Sequence, residues 1–355
     1  MPAYFNEGFC VRTPSWHRQE NLLDEFIVLP QDRERGILLA GHDFRIVEVP
    51  VGSIGNAVSS EAVLSEHDVV RVDGKWFAFK PEPSKKSLYI VQPREGGTFG
   101  PVHGNFVGMA NDGYAVIENG VGWDFAEAMC GLGAKVDTGL TLKDGARCVI
   151  CLYLDEPVTI PGDDSLILPY GVVTWSHDGS GALSGRSTSV RVVCGNTDDM
   201  AAAEARRLGT DFTIRHTKHW KDRVEDAKLA IRGVRDNFAE YTELARELAT
   251  MPVTPAQREL FVTTFLPMPP EALISDRVRN NVEDARTSVR TLFEGRTIPE
   301  AHKLTAYGLR LAGVEYLDHL RGYRNSDTYV GRQLLRTEPA KVKLASLIKD
   351  VVAAV

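Results

Sequence analysis

Ser176, His177 and Asp178 stand side by side in the run SHDGSG, and His216 follows Arg215 later in the chain. A hydroxyl, an imidazole and a carboxylate are the groups that acyl transfer needs, and Cys194 is a second candidate nucleophile. Adjacent side chains on extended backbone diverge, so a triad requires His216 to approach Ser176 or Cys194. No nucleophile-elbow pattern surrounds Ser176. A metal-dependent nuclease would instead need several carboxylates on one or two ions. Asp163, Asp164, Asp178, Asp198 and Asp199, with His177 and His216, are the groups available for it. A third chemistry is non-catalytic. Arg186, Arg191, Arg215, His216 and Lys218 are the candidate phosphate contacts, and hydroxyls, amides and turn N–H groups add neutral donors. Trp175, Phe212 and Trp220 lie near enough in sequence to offer faces on which bases stack. Ser176, His177, Asp178, Asn196 and Thr197 form a polar motif to which residue types alone assign no role. Ser176, His177, Asp178 and Asn196 are expected to converge in space with Arg215 and His216.

These residues sit at the ends of apolar runs. Gly171–Trp175 and Ser189–Cys194 read as strands, with a turn over Ser176–Ser180 between them. Phe44–Val49 reads as a strand. Val69–Phe79 reads as a hairpin about Asp73-Gly74 that Pro81 and Pro83 close, and Thr138–Leu154 as a second hairpin about Asp144-Gly145. Gly96–Asn111 is a glycine-rich loop that lacks the Lys-Ser/Thr of a phosphate loop. Cys148 and Cys151 make a C-x-x-C inside a strand pattern, where residues three apart face opposite sides, so the pattern predicts core packing and no metal. Helices are predicted over Gln31–Leu39, Trp123–Leu132, Met200–Leu208 and Lys218–Ala249. Others follow over Pro255–Phe265 with Thr254 as cap, Glu271–Glu294, Glu300–Tyr323 and Ala340–Ala353. The fold class is therefore α+β: an antiparallel-sheet-rich N-terminal part over 1–217 that carries the polar motifs, and a helical C-terminal part over 218–355.

The runs SHDGSGA, VRVVCGNT and IRHT resemble the phage and plasmid protein family known as the domain of unknown function 932. So do Phe9-Cys10-Val11-Arg12 and Ser15-Trp16-His17 at one end, and Thr305-Ala306-Tyr307-Gly308 and Val314-Glu315-Tyr316-Leu317-Asp318-His319 at the other. The resemblance implies a setting in phage or mobile-element DNA metabolism. The helix, strand and hairpin at the front of the chain also resemble the opening of the Rad52-like single-strand annealing proteins, as an analogy of architecture.

The 355 residues carry 43% hydrophobic and 25% charged side chains, as a globular protein does. No run of about 18 apolar residues predicts a transmembrane helix, and no membrane partner is expected. The first residues lack a basic start and apolar core, and five cysteines are few, so a reduced cytoplasmic setting is expected, which the family resemblance implies is that of a bacterial host. The net charge of −7 opposes long-range attraction to a polyanion; residues 201–355 are the basic part. The first functional reading is a single-stranded DNA-binding, annealing protein that self-associates, without cofactor or catalysis. The alternatives are a structural or host-interaction protein that binds no nucleic acid, and a metal-dependent nuclease built on the His/Asp cluster.

Overall fold

A computed structural model describes residues 7–11, 23–58, 69–72, 75–91, 105–111, 113–131, 135–142, 145–153, 157–191, 196–198, 212–224, 234–270, 275–322 and 339–354. Ser15-Trp16-His17, the turn residues Asp73-Gly74, Cys194, Asp199 and the helix read over Met200–Leu208 lie outside them.

Period-two patterning builds an eight-stranded antiparallel sheet, in the order β1 (Glu7–Cys10), β6 (Lys135–Leu142), β7 (Arg147–Tyr153), β9 (Asp163–Ser176), β10 (Leu183–Arg191) and β11 (Asn196–Asp198). β8 (Val158–Ile160) pairs with β9, and β12 (Phe212–Ile214) with β10. The hairpin predicted at residues 138–154 is β6–β7, which closes at Leu142 opposite Arg147. β9 and β10 are longer than their apolar runs. Leu183–Ser187, which precedes the strand read at Ser189–Cys194, joins β10 because each residue from Ser184 to Arg191 finds a partner on β9. Cys148 packs in the cluster on one face of the sheet and Cys151 in the cluster on the other, so the two sulfurs cannot share an ion.

A second, four-stranded antiparallel sheet joins β2 (Arg45–Val58), β4 (Lys75–Val91) and β3 (Val69–Val72), with β5 (Asn105–Asn111) also on β4. Val72 faces Lys75, so the predicted hairpin forms. Pro81 and Pro83 do not close the unit as read from the sequence. β4 runs through them because the register with β2 jumps between Pro50 and Gly52, and such a bulge accommodates residues that cannot donate to the ladder. Asn105–Asn111, read as loop, is a strand because β4 offers a second edge.

Helix α1 (Arg33–Leu39) ends at Gly41, whose φ of 68° is the left-handed conformation of a helix stop. α2 (Asn119–Cys130) lies across β6, β7 and β9 and buries Trp123, Phe125, Ala126 and Met129. β12 is the last strand among the described residues. The rest is helical: α3 (Val234–Thr250), α4 (Pro255–Phe265), α5 (Asp276–Glu294), α6 (Ala306–Glu315) and α7 (Pro339–Ala353). Thr254 caps α4 as predicted, in a reciprocal pair with Gln257. The helix read from Glu300 starts late: Glu300–His302 is a 3-10 turn, and Thr305 caps α6. A π turn over Tyr316–Leu320 then carries the helix on. α6 is buried along its whole length under α3, α4, α5 and α7.

Candidate functional site

Buried polar groups must pair, and the pairing here begins at Asn119, the first residue of α2. Its Nδ2 donates to the carbonyls of His42 (2.9 Å) and Phe44 (3.1 Å). Its Oδ1 accepts from Trp175 Nε1 (2.8 Å) and His177 Nε2 (2.8 Å), with the Cys148 thiol at 3.7 Å. An indole N–H only donates, so Trp175 fixes which end of the amide faces it. His177 must then carry its proton on Nε2. Trp123 Nε1 likewise donates to His42 Nδ1 (3.2 Å), which leaves Nε2 of His42 to donate to the Leu140 carbonyl (3.0 Å). Burial keeps both rings neutral. It pulls the pKa of His42 from 6.5 to about 4 and, with His216 and His42 as lesser causes, that of His177 to about 3.

The turn after β9 is closed by its own side chains. Ser176 Oγ donates to the Gly181 carbonyl and accepts from the Gly181 N–H, each at 2.9 Å. Asp178 Oδ1 accepts from the Ser180 N–H (2.9 Å) and the Ser180 hydroxyl, and Arg147 donates to Ser180 Oγ (2.7 Å). Gly179 takes φ 71°, which the turn requires of glycine. β5 presses on this turn from the second sheet: a Cβ on Gly108 would stand 3.2 Å from the Asp178 carbonyl oxygen.

His216 reaches the same place from β12. Thr174 pairs with Ser184 and Ser184 with Thr213; His177 and His216 each stand three residues beyond that row. They share the parity of buried Trp175 and Ile214, so both face the helix-covered side, two strands apart, about 10 Å. His216 Nδ1 donates to the Ala115 carbonyl (3.0 Å), and its ring stacks on Tyr114 at 4.7 Å. Tyr114 O–H donates to the Ser176 carbonyl (3.4 Å), and Lys86 Nζ to the Tyr114 carbonyl (2.7 Å). Burial lowers the His216 pKa and raises that of Tyr114. A cleft of about 570 Å³ opens here, lined by Asn111, Tyr114, Gly179–Ala182, Arg215, His216 and Thr217.

The structure thus brings together Ser176, His177, Asp178, Arg215 and His216. It does not bring Asn196 and Thr197 to them. Asn196 pairs with Arg191, which pairs with Ile167, nine residues from Ser176 along β9 and so about 30 Å of extended chain. β11 packs against α6 instead. Arg191 therefore also lies at the far end of the sheet. Arg186 is half-buried opposite Val172 with its Nε enclosed, while Arg215 and Lys218 are exposed. The aromatic faces are corrected too. Trp175 and Phe212 are core residues, Phe212 stacked on Phe125 at 4.6 Å, and Trp220 is half-buried. Of the described carboxylates read for a nuclease, Asp163 and Asp164 open β9 and Asp198 ends β11, away from Asp178 in the turn. Asp163 opens β9 and accepts from Tyr307 O–H (3.3 Å), thirteen residues before the His177 turn begins at Ser176. Among the described residues no three His, Cys, Asp or Glu side chains gather as metal ligands. Asn119, His42 and Tyr114 were missed, since no spacing signal links them to His177; only the fold does.

The fold is mixed, with antiparallel sheets first and helices after, and its polar centre falls inside a recognised family. Residues 107–337, more than half of the chain, match the family described as Domain of unknown function (DUF932), and the protein belongs to it. No curated protein and no solved structure matches the chain, so the likeness to annealing proteins gains no support from them. No helix among the described residues is long and apolar enough to cross a membrane.

Proposed function

We propose that the protein is a non-catalytic binder of single-stranded DNA, an annealing protein of phage or mobile-element recombination, which takes the strand's phosphates at the cleft through Arg215. One observation carries this reading. Arg215 is exposed on the cleft, while the groups a reaction would use are already hydrogen-bonded: Ser176 to Gly181, buried His177 through Nε2 to Asn119, and Asp178, at the surface, to Ser180. A guanidinium fork suits phosphate, and the hydroxyl of exposed Thr217 adds a neutral donor. Lys218 is exposed three residues on. With a net charge of −7, affinity per protomer is modest, and self-association that lines up several clefts raises it. The test is a binding titration of single- and double-stranded DNA at two salt concentrations.

A structural or host-interaction role without nucleic acid is the second reading. It is favoured by the burial of Trp175 and Phe212, which removes the stacking faces that single-strand binders use. An absence of strand binding at about 50 mM salt would decide for it.

A further inference from the structure

The cleft takes its walls from both sheets. Asn111 ends β5 of the second sheet and Tyr114 follows it, whereas Arg215, His216 and Thr217 follow β12 of the first. Tyr114 joins the walls. It forms an antiparallel bridge with Thr217, and beside it the Ala115 N–H donates to the His216 carbonyl (3.0 Å). The Tyr114 and His216 rings stack at 4.7 Å with 7° between their planes. The Tyr114 hydroxyl donates to the Ser176 carbonyl on the turn after β9. Its carbonyl accepts from Lys86 Nζ, which also pairs with Glu48 across β4 and β2. One residue therefore touches the turn, the segment after β12 and the second sheet. The Arg215 side chain makes no hydrogen bond or ion pair among the described residues, so the backbone beneath it sets where its fork reaches.

We propose that Tyr114 is the positioning residue of the strand-binding cleft: it fixes the backbone that carries Arg215 against the turn after β9, so that the guanidinium meets a phosphate from an ordered segment. A contact made by a segment that is ordered beforehand forfeits less freedom on binding. Tyr114 has little of its own to offer a strand. His216 covers one face of its ring, Lys86 Nζ stands 6.0 Å from the ring centroid, its hydroxyl is donated to Ser176, and its carbonyl is taken by Lys86. It acts through Arg215, as a strut between the two sheets. The assignment rests on strand binding at the cleft, and it adds that the second sheet, through Tyr114, governs that binding.

The test is a titration of a single-stranded oligonucleotide with the full chain at several salt concentrations. Tyr114→Ala should lower the slope of log affinity against log salt by about 0.7, one phosphate contact, although it removes no charge. The double variant Tyr114→Ala/Arg215→Ala should lower it no further, because both changes lose the same contact. Tyr114→Phe keeps the ring stack and should keep the wild-type slope. A tyrosine that merely stabilised the fold would lower the thermal midpoint and leave the slope alone, and one on which a base stacks would weaken binding at an unchanged slope. An unchanged slope in Tyr114→Ala overturns the inference while the strand-binding reading stands, whereas no binding by the wild-type chain overturns both. Should Tyr114→Ala fail to fold, the wild-type chain decides. The oligonucleotide should shift the ring resonances of Tyr114, which lines the cleft, and unshifted resonances would overturn the inference.

Discussion

The Asn119 amide makes four hydrogen bonds within the core, to two carbonyls, an indole and an imidazole. Asn119→Ala would leave all four partners buried and unmatched. At about 1–3 kcal/mol for each group, the loss should exceed about 3 kcal/mol, read as a fall in the urea midpoint. The same network sets a pH dependence. An unfolded histidine takes up its proton near pH 6.5, whereas His42 and His177 resist protonation down to about 4 and 3. Between those values the unfolded chain binds more protons, so their contribution to stability is whole above pH 6.5 and is lost as pH falls through that window. Urea midpoints measured from pH 6.5 to 4 should fall, and His42→Gln should flatten part of the slope. An unchanged slope would mean that His42 is not held neutral. Sequence reading singled out His177 and Asp178 but not why they are polar, because the answer lies in residues 42 and 119, distant in the chain.

At the scale of elements, α2 seats on the sheet through close approach. A Cβ on Gly122 would overlap the Trp175 ring, and one on Gly171 the Met129 side chain. Gly122→Ala should therefore destabilise by about 1–3 kcal/mol, as overpacked cores do, without changing helix content by circular dichroism. Thr254→Ala removes half of a capping box and should cost about 1 kcal/mol at α4. The caps, hairpins and most helices were legible because their signals are local: Thr254 before Pro255, Asp73-Gly74 between apolar runs, apolar spacing of three and four. The polar start of β10 and the passage of β4 through Pro81 and Pro83 were not, since neighbouring strands impose them. Position along β10 also separates Asn196 from His177, which a list of motifs cannot reveal.

Across the whole molecule, one hydrophobic cluster runs from Phe9 and Trp175 in the sheet part to Leu344 and Val351 in the last helix. His302 Nε2 meets the Pro161 carbonyl at 2.9 Å, and Tyr307 meets Asp163. The sheet and helical parts should thus unfold together: near-ultraviolet signals from Trp123 and Trp175 and far-ultraviolet helical signal should share one midpoint, and two separated midpoints would argue against a shared core. The change of period near residue 217 was legible, but the shared core was not, because contacts between distant segments leave no periodic trace. The central claim, that an exposed arginine beside a chemically closed turn holds a DNA strand, is tested most directly by the salt dependence of single-strand binding. Each neutralised phosphate contributes about 0.7 to the slope of log affinity against log salt. We predict measurable binding at about 50 mM salt and a slope lower by about 0.7 in Arg215→Ala. No binding by the wild-type chain, or an Arg215→Ala slope equal to the wild type's, would contradict the account.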